Sequence, residues 1–534
     1  MQTVSQAWKN VHKQTLLNES FVEVSLDIAD PIASADASAT DNGAVYISNT
    51  SETVSEVDTP DRPYGTLEQN KWLLDGQRKS IPEYDFLDSG YVGDVLSNEE
   101  CVFTKLPTIT INFTKAHKQA IPGVTITWGT AYNEYAEKFI VTAYKNDTVV
   151  ARKDVFDNKS VTSVVSLDIA DYNRIEIQVL SWCLPNCRAR IDEIFLGLHK
   201  IYSKRDLMSF QHSQTVDPIS TSLPKMEIKF SIDNSDDSYN PYNLNGLAKY
   251  LTERQEIKTR YGLKLNDNTI EYIKGGTFYL SEWYAKQNGI TADFVARDLL
   301  EFMSATYQDS DWHESTRRSY YDLAESVLES AGLPLNKDGT KKWKIDESLQ
   351  WMDTDAPIPE DTIANCLQLI ANACQCVIYP DRDGILHIEP ISDTVTDYEI
   401  NKFNSYSKSE ITLSKQIKRV VVKVYSYKST NGVIESSTTD YIYDVGENGE
   451  TIVVDNPLVT YDFRGRVLAS HIASYLTNRM TLKSTGRADV RLDALDIVSN
   501  ENDYGSKKVR MTNVKFDFNG AFRGIGEGRV IEDG

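Results

Sequence analysis

The sequence predicts a multidomain α+β protein in which β-structure dominates, on three observations. Short runs alternate apolar and polar residues strictly, as half-buried strands do. Tyrosine is abundant, 29 residues against 7 His and 7 Met, and its apolar ring with a polar tip suits strands and wet interfaces. Only three segments carry a helical period. A length of 534 residues suits about three or four domains.

The first strand is FVEVSLDI, 21–28, with Val22, Val24, Leu26 and Ile28 on one face and Glu23, Ser25 and Asp27 on the other. MEIKFSID, 226–233, repeats the pattern with Met226, Ile228, Phe230 and Ile232. Residues 29–63 are rich in Ala, Ser, Thr and Asp and read as a loop-heavy connection. Then come TITINFT (108–114), VTITW (124–128), KFIVTAY (138–144), SVVSLDI (163–169), RIEIQVL (174–180) and ARIDEIFLG (189–197). Short strands at this spacing predict a β-sandwich inserted into a larger β-domain.

Beyond residue 233 strand and helix mix. TFYLSEWYA (277–285) and TADFVAR (291–297) read as strands. Leu323, Ala324, Val327, Leu328 and Ala331 share one face of a helix over 319–331, which Gly332-Leu333-Pro334 ends. A second helix over 361–373 buries Ile363, Leu367, Ile370 and Ala371, with Glu360 and Asp361 placed for its N-terminus. VIYPDRDGILHIEP (377–390) is a hairpin turning at Arg382-Asp383-Gly384. RVVVKVYSY (419–427) is a strand, 464–478 a third helix, and KVRMTNVKFDFNG (508–520) the last strong strand.

Composition excludes several function classes. The formal net charge is −22, and such a chain is repelled by nucleic-acid phosphate. No sequence-specific nucleic-acid binding is expected. No apolar run is long enough to span a membrane, and the N-terminus MQTVSQAWKNVHKQTLL lacks the apolar core of a secretory signal. Synthesis in a cytoplasm without a membrane anchor is expected. Six cysteines make no disulfide framework, although Cys183 and Cys187 flank a turn and Cys374 and Cys376 bracket Gln375.

Motifs for catalysis are missing. There is no G-x-S-x-G, H-E-x-x-H or P-loop, and His313-Glu314 lacks the second His that zinc requires. No catalytic residue, metal or cofactor is expected. DNSDDSYNPYN (233–243) is dense in oxygen ligands but lacks the Gly and Glu of a calcium hand, so it reads as a run of Asx turns. One binding constellation stands out in the sandwich. Trp128, Tyr132, Tyr135 and Trp182 offer flat faces for sugar rings, and Arg188 and Arg190 a hydrogen-bonding rim. The competing reading makes Trp128 and Trp182 core residues.

Three stretches carry a family resemblance. KFSIDNSDDSYNPYNLNGLAKYLTERQEIKTRYGLKLNDNTIEYIKGGTFYLSEWYA (229–285), TPDRPYGTLEQNKWLLDGQ (59–77) and VRMTNVKFDFNGAFRGIGEGRVI (509–531) resemble blocks of tail proteins of Gram-positive phages and prophages. The resemblance is to the baseplate hub, or the N-terminal hub-like part of tail-associated lysins. It implies a virion protein at the tail tip, a homotrimeric ring that closes the tail tube while DNA passes through. The partners it implies are the tube or distal tail protein, the tape measure protein and fibre or spike proteins. It divides the chain into a hub β-domain (1–58 and 201–300), a connector (59–100), a galactose-binding-like sandwich (101–200), a small α/β hub domain (301–400) and a C-terminal hub β-domain (401–534). Family members that degrade cell wall carry an enzyme domain after the hub; here the sequence stops at Gly534, so a non-enzymatic role is expected. The alternatives are a receptor-binding protein for host cell-wall glycan and a peptidoglycan-degrading lysin.

Overall fold

The computed structural model describes residues 1–14, 18–54, 68, 71, 90–285, 289–310, 312–313, 317–333, 340–430, 433–503 and 505–531. The block at 59–77 therefore lies outside the described residues except for Glu68 and Lys71, as do Glu314 and Pro334. Architecture is β-dominant, and three hydrophobic cores organise the described residues.

The first core lies under a sheet of thirteen described strands. Its first half runs Gly197–Ser203, Ser20–Ala29, Glu256–Lys264, Ile270–Ala285, Thr291–Arg297, Lys225–Asp233, Leu207–Thr215. The second half continues Gly505–Phe518, Phe522–Ile531, Met480–Arg487, Glu410–Leu413, and Ile497–Asn502 branches from Gly505–Phe518 with Val395–Ile400 beyond it. The halves join where Leu207–Thr215 pairs antiparallel with Gly505–Phe518, from Phe210↔Phe518 to Thr215↔Asn513. Both strands read from strict alternation sit here with the expected apolar face inward: Val22, Val24, Leu26 and Ile28, then Met226, Ile228, Phe230 and Ile232, are all buried. Phe230 stacks on Phe294 of the neighbouring strand, 5.1 Å between centroids. Cross-strand aromatic pairs of this kind fix register as well as adding contact.

The second core is the sandwich. One sheet orders Tyr91–Leu96, Arg188–Phe195, Ile121–Trp128, Thr162–Ile169; the other orders Ser38–Asp41, Thr108–His117, Tyr172–Trp182, Ala136–Lys145, Thr148–Val155. Between them pack Ile111, Val124, Ile126, Phe139, Val141, Ile175 and Ile177. Both sheets grow out of one hairpin of the long sheet. Ser20–Ala29 pairs antiparallel with Gly197–Ser203, beginning at Ala29↔Gly197. The chain thus leaves and returns at adjacent positions. Gly197 is needed at the return, since a Cβ there would lie 2.3 Å from the Ile28 carbonyl oxygen. Residues 29–54 are more structured than a plain connection, with helix Pro31–Asp36, strand Ser38–Asp41 and the 3-10 turn Thr50–Val54. Asp30 caps the helix by accepting from the Ile32 N–H, and Pro31 suits its first turn.

The third core belongs to a helical module. Ser319 caps helix Tyr320–Ser330, and Gly332 leaves it at φ +60. Helix Ile363–Ala373 is capped by Thr362, whose hydroxyl accepts from Asn365 N at 3.2 Å. Asp361 stands directly before the cap, where an acidic residue is expected, and its carboxylate accepts from Thr362 N at 2.7 Å and from Asn365 Nδ2 at 2.8 Å. Helix Asp462–Thr477 lies on strand Ile417–Thr430 and buries Leu468, Ala469 and Ile472. Gly465 permits that approach, since a Cβ would stand 2.9 Å from Val424. The hairpin Cys376–Pro380 and Leu386–Pro390 turns through Gly384 at φ +76.

Candidate functional site

The six residues picked from the sequence gather at one end of the sandwich. Trp128 and Trp182 end inner strands of the two facing sheets, Tyr132 lies in the 3-10 turn Thr130–Tyr132, and Arg188 and Arg190 start the strand Arg188–Phe195. Trp128 and Trp182 are fully buried and meet edge to face, 6.0 Å apart at 84°. Phe139 closes the other side of Trp128 at 5.0 Å. Their N–H groups are satisfied inside: Trp128 Nε1 donates to Ser163 Oγ at 2.7 Å, and Trp182 Nε1 to Glu134 Oε2 at 3.0 Å. Both indoles are core, the competing reading at the sequence level. Tyr132, Tyr135 and Arg188 are half-buried.

Arg190 is buried as well and belongs to a charge cluster that sequence reading missed. Glu68, Lys71, Glu134 and Arg190 are each at most 5% exposed. Arg190 donates to both oxygens of Glu68, at 3.0 Å to Oε2 and more closely to Oε1. Lys71 Nζ donates to Glu68 Oε2 at 3.1 Å and to Glu134 Oε2 at 2.7 Å. The Arg188 backbone N–H adds a bond to Glu68 at 2.9 Å. Lys71 and Arg190 stand over the Tyr132 ring, 4.8 and 5.0 Å from its centroid. Two carboxylates and two cations cancel, which is the condition for burying charge at tolerable cost. The cluster ties residues 68 and 71 to the sandwich. Its chemistry is that of a joint. No local pattern announces it, because its members lie up to 122 positions apart.

Burial raises the Glu68 pKa, but its bonds and attraction to Arg190, followed by the charge of Lys71, outweigh that and bring it from 4.5 to about 2. A carboxylate depressed on folding contributes stability that is complete above pH 4.5 and is lost as pH falls through about 2. At about 1.4 kcal/mol per pH unit that amounts to about 3 kcal/mol. Acid titration of sandwich unfolding should steepen between pH 4.5 and 2, and Glu68→Gln should flatten that limb. An unchanged acid limb in the variant would show that Glu68 is not held this way.

Elsewhere the constellation nearest to chemistry is Ser25, His199 and Asp27. His199 Nδ1 bonds the Asp27 carboxylate, and Ser25 Oγ is 3.0 Å from His199 Nε2. The same hydroxyl is 3.5 Å from Nδ1. A serine in line with the Nε2 lone pair would stand far from Nδ1, across the ring. Ser25 therefore sits against the ring rather than in a proton relay.

The loop at 233–243 folds as the sequence reading expects. Asp233, Asn234, Asp236 and Asn240 accept backbone N–H bonds from Ser235, Tyr239, Ser238 and Tyr242 at 2.8–3.1 Å. Among the described residues no group of three or more His, Cys, Asp or Glu is placed to hold a metal. All six cysteines are free thiols. No described helix is long and apolar enough to cross a membrane.

One further residue escaped the sequence reading. Arg382, read as a turn residue, is 4% exposed and drives from the hairpin tip into the long sheet. Its Nε donates to Asp493 at 2.7 Å, Nη1 to Lys274 O at 2.8 Å, and Nη2 to Val490 O and Leu492 O at 2.9 Å each.

No family model matches the chain, and no curated protein sequence matches it. Among solved structures it is similar to a tail protein from Neisseria meningitidis MC58, at 10% identity and a TM-score of 0.41, over 61% of this chain and 93% of that one. It is similar to the 43 kDa tail protein of prophage MuSo2 from Shewanella oneidensis, at 11% identity and 0.39, over 62% and 94%. Prophage tail protein gp18 from Listeria monocytogenes EGD-e matches at 12% identity and 0.39, over 62% and 91%.

Proposed function

We propose that the chain is a structural component of a phage tail tip, a hub that closes the tail tube and docks neighbouring tail proteins. The observation that carries this reading is the sequence block 229–285. It forms the middle of the long sheet, contributing Lys225–Asp233, Glu256–Lys264 and Ile270–Ala285. The sheet supports it by ending open. Glu410–Leu413 pairs on one side only among the described strands, all four residues are exposed, and Ile411 and Leu413 are 55% and 63% open. An open edge bearing apolar side chains is a surface for another chain to cover. The net charge of −22 suits a wall past which DNA slides without sticking.

A homotrimer follows from this reading. Light scattering on a sizing column should give about three times 60.3 kDa. Ile411→Lys with Leu413→Lys should lower that mass to one chain, since charge on an edge opposes strand pairing. A trimer unaffected by the double variant would remove this edge from the interface, and a protein that stays monomeric when mixed with tail tube would sink the hub.

A second reading is contact with host-surface carbohydrate through the sandwich. What favours it is the attachment: the sandwich hangs from one hairpin of the long sheet, so its surfaces can serve contact without disturbing the sheet. Tyr132, Tyr135 and Arg188, at its outer end, are the half-buried members of the predicted constellation. Tyr132→Ala or Arg188→Ala should reduce binding to host cell-wall glycan with assembly intact.

A further inference from the structure

Two polar sheet faces meet across a cleft of about 790 Å3 between the sandwich and the long sheet. On the sandwich side, register aligns two rows: Glu193, Thr127 and Thr162, then Phe195, Thr125 and Val164. Opposite stand side chains from the outward face of Ser20–Ala29 and its neighbours, where Asp27 pairs with His199 and Ser25 with Ile201. These are the polar halves of the strand alternations whose apolar halves build the two cores.

The lining narrows the ligand class. Three carboxylates, Glu23, Asp27 and Glu193, face three cations, Lys258, Arg260 and Lys274, so the walls carry no net charge. Arg260 bonds Glu23, Lys274 bonds Asp383, and Asp27 bonds His199. An ionic ligand would have to break these pairs. Lys258 in turn pairs with Glu256 at 2.6 Å, and beside these charges and Glu193 the cleft offers hydroxyl and apolar surface: Thr127, Thr162 and Ser25 beside Phe195, Val164 and Ile201, the last two 52% and 50% exposed. A ligand with hydroxyl edges and C–H faces matches that alternation. Neighbouring residues within a row stand about 4.8 Å apart across strands, close to the length of one hexose unit. The volume lies in the range of about 300–1,000 Å3 typical of ligand pockets.

We infer that this cleft binds a neutral oligosaccharide of a few hexose units. The inference rests on the second reading above and moves the contact from the aromatic end of the sandwich to its inner flank. Thr127 and Thr162 would hydrogen-bond ring hydroxyls, and Val164 and Ile201 would take the C–H faces. Charged side chains on both walls would orient the chain without supplying net attraction.

The test is isothermal titration of the full-length protein with chitotetraose, maltotetraose and β-1,4-galactotetraose, with polyglutamate as a charged peptide control. At least one sugar should bind with a Kd below 1 mM, on the order of the weak end of specific recognition. Thr127→Val with Thr162→Val keeps side-chain volume and removes the hydroxyls; it should weaken that sugar at least about tenfold, the loss of roughly one good hydrogen bond. Saturation-transfer NMR on the unmodified protein gives a second readout should the variant misfold, and Ser25→Ala offers a milder change on the opposite wall. Absence of binding by all three sugars overturns the inference. So does binding that the variants leave unchanged, or binding of polyglutamate in preference to every sugar. Light scattering decides the hub separately, so a trimer with no sugar binding would sink the cleft and spare the hub.

Discussion

Replacing Trp128 by alanine should unfold the sandwich while the long sheet stays folded. Trp128 is 0% exposed, packs against Phe139 and Trp182, and donates its N–H to Ser163. Truncation removes that contact, opens a cavity and leaves the buried Ser163 hydroxyl without its donor. Large-to-small changes of this kind cost about 3–5 kcal/mol, a large part of the stability of a domain this size. The sandwich has its own core, separate from that of the long sheet, so the loss should stay local. Calorimetry should show one transition moving down sharply and the other holding. A single transition shifting as a whole would mean that the two cores unfold together. Loss of glycan binding in a Trp128 variant would report unfolding, which is why Tyr132→Ala and Arg188→Ala are the informative changes at that end.

Arg382→Met should uncouple the helical module from the long sheet. The guanidinium bonds one carboxylate and three carbonyls while 4% exposed. Methionine fills part of the space but leaves Asp493 with the Gln2 and Gln214 amides as side-chain amide donors, at 2.9 and 3.4 Å, and three carbonyl oxygens without Arg382. Breaking one side of a buried ion pair costs about 3–5 kcal/mol. Denaturant unfolding followed by tryptophan emission and by circular dichroism should lose coincidence, since the module would open first. Arg382→Lys should rescue little, because one ammonium cannot reach four acceptors spread around a planar fork. Full stability in the lysine variant would show that charge alone holds the joint.

These two residues mark what local sequence reveals. Strands with one buried face were legible: Val22 to Ile28 and Met226 to Ile232 alternate because one side meets a core. Strand Thr148–Val155 has almost every residue exposed, so its sequence carries no alternation and it escaped. Ser38–Asp41 is too short to show a period, and Tyr91–Leu96 buries its first three residues in a row, so it does not alternate. Helix Tyr320–Ser330 was visible through its apolar stripe and its Gly332 stop. The charge cluster was invisible for a different reason. Glu68, Glu134 and Arg190 look like solvated charges in any window, and only the fold brings them together. Arg382 was read as turn chemistry because its neighbours Asp383 and Gly384 make a turn; its side chain points the other way. Trp128 and Trp182 illustrate the reverse error: flat faces suggested a platform, while their position at the ends of inner strands put both inside.

The attachment of the sandwich at Ala29 and Gly197 also bears on how such a chain changes through generations. Paired residues on antiparallel strands stand about 5 Å apart. A recombination that exchanges the codons for residues 30–196 needs only to deliver its two ends at that separation, and the register of the long sheet on either side is left as it was. The same gene can therefore trade one inserted domain for another, or close the gap with a two-residue turn, without altering the pairing of the long sheet.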